Sequence, residues 1–167
     1  AGSKKSEVKS RYLQLGALWG DENTMEQLAA LIASADSSDA DRRMAVQLAK
    51  QIDHPAVLKA LSDRVIATPN GAAIRETIDA LGGHDQPSVA SLLVRQWPKV
   101  EMAQRQAATS VLVSRPAWLN TFLSAVESKT IQPSDVPAGT GAINLRKANA
   151  VNRDQISISL EAAMALV

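Results

Sequence analysis

Arginine stands at positions 11, 43 and 75, every 32 residues, and again 30 residues later at 105. Each lies near the start of an apolar-periodic segment: Arg11-Tyr-Leu-Gln-Leu, Arg43-Met-Ala-Val-Gln-Leu, Arg75-Glu-Thr-Ile-Asp-Ala-Leu and Arg105-Gln-Ala-Ala-Thr-Ser-Val-Leu. A second series keeps the same step, with Asp21, Asp53 and Asp85, then Met25, Val57 and Val89, and the prolines Pro55 and Pro87. Several series sharing one period restrict the chain to architectures that repeat a single supersecondary unit.

The period divides into two helices. The aspartate series opens the first, A, where Asp53-His-Pro and Asp85-Gln-Pro place a capping side chain before a first-turn proline. The arginine series lies in the second, B. Four residues before it stand Glu7, Asp39, Gly71 and Glu101, so three of the four arginines have an acid at i−4, a pairing worth about 0.2–0.5 kcal/mol when exposed. The expected helices are B 4–19, A 23–34, B 39–52, A 54–67, B 70–82, A 86–97, B 99–114 and A 116–128. A Pro/Gly-containing stretch over 130–142 and a last helix over about 153–166 follow.

A helix pair of ~30 residues cannot bury its apolar faces alone, whereas stacked pairs share one core. The expected fold is therefore all-α, an α-α superhelix of antiparallel helix pairs. HEAT-like is the closest label, because the ankyrin Thr-Pro-Leu-His tetrapeptide and the tetratricopeptide Trp/Gly/Tyr pattern are both missing. Residues 1–129 form the repeats, and 130–167 form a linker with a C-terminal helix packed on the last repeat. Ala49, Leu81 and Val111, each six residues beyond an arginine, are expected in the shared core.

With no cysteine, the chain has no thiolate metal site, disulfide or covalent haem attachment. Lys plus Arg number 18 against 17 Asp plus Glu, a formal +1, and the five aromatics do not interleave with basic residues. Both facts argue against a nucleic-acid binder, including a HEAT-shaped DNA-repair enzyme. No apolar run approaches the ~20 residues of a membrane span. The chain opens Ala-Gly-Ser without an initiator methionine and stops at Val167 inside an apolar helical pattern, so a piece excised from a longer protein is expected.

His54 and His84 stand at A-helix entrances and read as turn residues without a third ligand. The acids Asp21, Glu22, Glu26, Asp36, Asp39 and Asp41 contain no calcium loop. Pro137-Ala-Gly-Thr-Gly lacks the strand and the Gly-Lys-Ser/Thr ending of a phosphate loop. Arg146, Lys147 and Arg153 solubilise an irregular segment, and Trp97 and Trp118 are core anchors. No catalytic residue, cofactor or metal site is expected. The candidate binding face is the concave B-helix surface, with Arg42, Lys50, Glu76, Asp79 and Gln106; the expected partner is protein, and the sequence leaves the oligomeric state open.

One stretch resembles a known group. Leu92-Leu-Val-Arg-Gln-Trp-Pro, Gln104-Arg-Gln-Ala-Ala, Ser114-Arg-Pro-Ala-Trp and Ile131-Gln-Pro-Ser-Asp-Val are similar to the helical segment of the multidomain haem-binding, dehydrogenase-like proteins of planctomycete bacteria. There a sugar-dehydrogenase-type propeller precedes HEAT-like helices and a c-type cytochrome domain. The resemblance covers under a third of the chain and ends after Val136, and no Cys-x-x-Cys-His follows. It implies an exported spacer or interaction module of the periplasm or cell envelope, with a stand-alone cytoplasmic scaffold as the alternative.

Overall fold

Helix boundaries in the computed structural model, which describes residues 2–137, follow local capping chemistry. The first helix, α1, spans Gly2–Trp19 and ends at Gly20, whose φ of 69° few side chains tolerate. α2, Glu22–Ala33, is capped by Asp21, whose carboxylate accepts hydrogen bonds from the Thr24 N–H at 2.9 Å and the Thr24 hydroxyl at 2.6 Å. α3, Asp39–Ala49, is capped by the Ser38 hydroxyl, which accepts from the Asp41 N–H at 3.1 Å. α4, Pro55–Ala67, and α5, Ala72–Leu81, follow. α6, Pro87–Gln96, runs into a 3-10 turn at Trp97–Lys99, and α7, Met102–Leu112, and α8, Pro116–Glu127, complete the series. The described residues contain no strand.

The proline series overrides the aspartate series. Pro55 and Pro87 occupy the first helical position, so the caps fall on His54 and Gln86, neither of which makes a side-chain cap bond. Asp53 and Asp85 therefore stand one residue outside their helices and do not cap them. Asp21 does cap, because no proline follows it. The expected i,i+4 pairs also rearrange. Asp39 bonds Arg42 at 2.9 Å instead of Arg43, and Arg105 reaches Asp135 at 3.3 Å instead of Glu101. Three B helices are shorter than expected: α3 stops at Ala49, α5 spans only Ala72–Leu81, and α7 starts at Met102 because Trp97-Pro98-Lys99 is already a 3-10 turn.

The chain divides into two compact units, one holding α1–α5 and the other α6–α8 with the Pro69–Gly71 turn. In the first, α2 packs on α4 while α3 packs on α1 and α5. Leu13, Leu28, Ile32, Leu61, Ile78 and Leu81 are fully buried there, each worth about 1.5–3 kcal/mol of apolar transfer. At Gly16 a β-carbon would overlap the Thr24 side chain, so this glycine lets α1 approach α2 closely and turns Leu13 inward. In the second unit α8 packs on α6 and α7 around Trp97, Leu112, Trp118, Phe122 and Ile131. Ala49, Leu81 and Val111 are all buried. The expected helix over 153–166, and Arg146, Lys147 and Arg153, lie outside the described residues.

Polar contacts in both units join residues about one period apart. His54 Nε2 lies 3.2 Å from the Glu22 carboxylate, His84 Nδ1 3.9 Å from Asp53, and Arg43 Nε 4.0 Å from Glu76. In the second unit Asn70 Oδ1 accepts from the Glu101 N–H at 2.9 Å, Gln104 Nε2 donates to the Gly71 carbonyl at 2.9 Å, and Arg115 Nε lies 3.2 Å from Asp85. The separations run from 30 residues for Asp85–Arg115 to 33 for Arg43–Glu76 and Gly71–Gln104.

Candidate interaction surface

The Ser38 cap fixes the start of α3 and with it the direction of Arg42. One turn into the helix, its guanidinium folds back over the preceding connection. Nη2 donates to the carbonyls of Ser34 at 2.9 Å, Ala35 at 3.1 Å and Ser37 at 2.8 Å, while Nη1 holds Asp39. Arg42 is only 9% exposed, which corrects its placement on an open binding face: it ties the α2–α3 connection shut. Orphan carbonyls in a short connection need donors, and a guanidinium fork supplies several at once.

Arg43, the next residue, points outward toward Glu76 on α5. Lys50 and Arg75 are exposed, whereas Glu76 and Asp79 are half-buried. Burial raises the Asp79 pKa above the ordinary carboxylate value; Arg75 and Lys50 oppose the shift and Glu76 adds to it. Lys50, Arg75, Glu76 and Asp79 thus belong to one mixed-charge patch formed by α3 and α5. Gln106 is exposed on α7, in the other unit.

Beside the patch lies a cleft of about 60 Å³, lined by Arg42, Arg43, Arg64, Asp39, Glu76 and Thr77 among others. The Arg64 pKa is lowered, by burial first and then by the neighbouring Arg42 charge, with Asp39 acting in opposition. The buried Nε groups of Arg42 and Arg64 have no hydrogen-bond partner among the described residues. Three guanidinium groups face two carboxylates, so the cleft has spare capacity for an acidic group. Sequence reading missed Arg64. A signal was available: it follows Ala60 and Leu61 at i+4 and i+3, on the margin of the apolar stripe of α4, where a long side chain reaches a seam between helices.

The histidines do not converge: His54 occupies the position before α4 and faces Glu22, and His84 is buried in the same unit beside Asp53. No group of three metal-ligating side chains occurs among the described residues, and no described helix is long and apolar enough to cross a membrane. Trp97 and Trp118 are buried; Arg115 stacks over Trp118 at 4.3 Å, which gives the Ser114-Arg-Pro-Ala-Trp run a structural role. Comparison with protein-family models, curated proteins and solved structures finds no match for this chain.

Proposed function

We propose that the chain is a non-catalytic helical-repeat interaction module, a HEAT-like solenoid whose α3/α5 face binds a protein partner. The observation that carries this reading is the set of contacts between residues 30–33 apart, from His54–Glu22 to Arg115–Asp85. Side chains one period apart meet when repeats are stacked in register. Successive B helices then line one surface, and here that surface carries Arg43, Lys50, Arg75 and the Arg64 cleft. Acidic side chains of a partner suit it, because a guanidinium binds a carboxylate through charge-assisted hydrogen bonds.

Within this reading, the similarity of Ser114-Arg-Pro-Ala-Trp and Ile131-Gln-Pro-Ser-Asp-Val to the planctomycete proteins makes the module a spacer between a dehydrogenase-like domain and a cytochrome, in the cell envelope. The full-length gene decides that part: it encodes a propeller and a Cys-x-x-Cys-His, or it does not. The binding role is tested by cross-linking capture from an envelope fraction, with the native chain and an Arg43→Glu, Lys50→Glu variant side by side. A partner captured by the native chain and lost with the variant supports the reading. The same capture by both, or by neither, overturns it.

A further inference from the structure

The outward face of α1 is apolar. Val8, Tyr12, Leu15, Leu18 and Trp19 are 68%, 53%, 50%, 80% and 81% exposed, although Leu13 on the opposite side is fully buried. Together they leave on the order of 600 Å² of apolar surface in water, against ~800 Å² per partner in a standard interface. A contiguous patch of this size marks an interaction site.

Four of these residues form a palindrome. The steps from Val8 to Tyr12, Leu15 and Trp19 are 4, 3 and 4, the spacing of a coiled-coil seam, and they read the same in both directions. An antiparallel two-fold pairing centred between Leu13 and Gln14 sets Val8 against Trp19 of the partner subunit and Tyr12 against Leu15 of the partner subunit. A two-fold interface requires a surface complementary to itself, and this one is complementary in its apolar spacing.

We infer that α1 pairs antiparallel with α1 of a second copy, so that the chain forms a two-fold dimer. The cysteine-free sequence allows a direct test of state and register. Sedimentation velocity should give a concentration-dependent dimer for the native chain. A Leu15→Glu, Trp19→Glu variant should be monomeric, with its helical circular dichroism unchanged, since both residues are exposed. A native chain that stays monomeric over the concentration range, because another protein or nothing covers α1, overturns the inference. For register, Val8→Cys and Trp19→Cys chains are treated with a short bis-maleimide. Cross-linked dimer should form when the two are mixed and be weak in either alone; efficient self-linking of each alone would mean parallel pairing and would overturn the antiparallel arrangement.

Discussion

Gly83 lies so close to the backbone carbonyl oxygen of Lys50 that a β-carbon at position 83 would overlap it. The obstacle is main chain at the end of α3, so it has no rotamer through which to move aside. The same β-carbon would also stand 3.2 Å from the Ala80 carbonyl oxygen. Gly83→Ala should destabilise the chain by about 1–3 kcal/mol, the range for forced overpacking. Urea denaturation measures this, and a loss near zero would mean that the end of α5 sits farther from α3.

Leu81 and Glu76 stand on opposite sides of α5. Leu81 is fully buried, whereas the Glu76 side chain is 44% exposed and only 4.0 Å from Arg43. Leu81→Ala should destabilise by about 2–5 kcal/mol, transfer and cavity contributions together. Glu76→Ala should change stability by no more than about 0.5 kcal/mol. Denaturant melts that ranked the two equally would contradict the helix register.

The period and the core register were legible in the sequence because burial follows helical spacing, so Ala49, Leu81 and Val111 could be placed by counting from the arginines. Partner choice was not. Asp53 and Asp85 looked like caps, but a proline two residues on fixes the helix start and leaves them outside. Arg42 was expected on the open face with Lys50 and Glu76; only the bend of the α2–α3 connection, which points three carbonyls at one spot, draws its guanidinium inward. Arg64 sits beside the cleft through the packing of α3, α4 and α5, and no single-helix pattern contains that information. The outward face of α1 could have been read from Val8, Tyr12, Leu15 and Trp19, yet which of its two apolar stripes faces the core depends on Gly16 meeting Thr24.

Asp79 should give the chain an unusual acid response at one site. Its folded pKa is raised, so between the unfolded value of 3.8 and the folded value the native state binds more protons than the unfolded state. Stability from this group therefore falls as pH rises through that window, and the ionised carboxylate is unfavourable above it. Asp79→Asn should stabilise the chain at neutral pH, and the gain should vanish once the pH drops below 3.8. Asp21 behaves oppositely. Its pKa is lowered by the hydrogen bonds from the Thr24 hydroxyl and then the Thr24 N–H, so its contribution is present above 3.8 and is lost as pH falls through the folded value. Thermal melts of the native chain, Asp79→Asn and Asp21→Ala over a pH series should show differences of opposite sign at neutral pH that both shrink in acid.

Trp97 anchors the second unit, and its substitutions separate volume from polarity. It is 1% exposed, its ring centroid lies 5.6 Å from that of Phe122, and the Arg105 guanidinium carbon stands 5.9 Å from the ring centroid. Arg105 is itself held by the Val100 carbonyl at 3.1 Å and Asp135 at 3.3 Å, so the indole is clamped between α8 and the segment that follows the 3-10 turn. Trp97→Ala removes the whole ring and should cost about 3–5 kcal/mol. The buried Nε1 has no hydrogen-bond partner among the described residues, and a buried N–H left unsatisfied carries a penalty of about 1–3 kcal/mol. Trp97→Phe relieves that penalty while keeping an aromatic ring against Phe122, so its cost should be less than half that of alanine. Urea melts followed by the fluorescence of Trp118, which lies in the same unit, report on both variants. A phenylalanine as damaging as alanine would show that the indole N–H has a partner and that volume alone does not set the stability at this position.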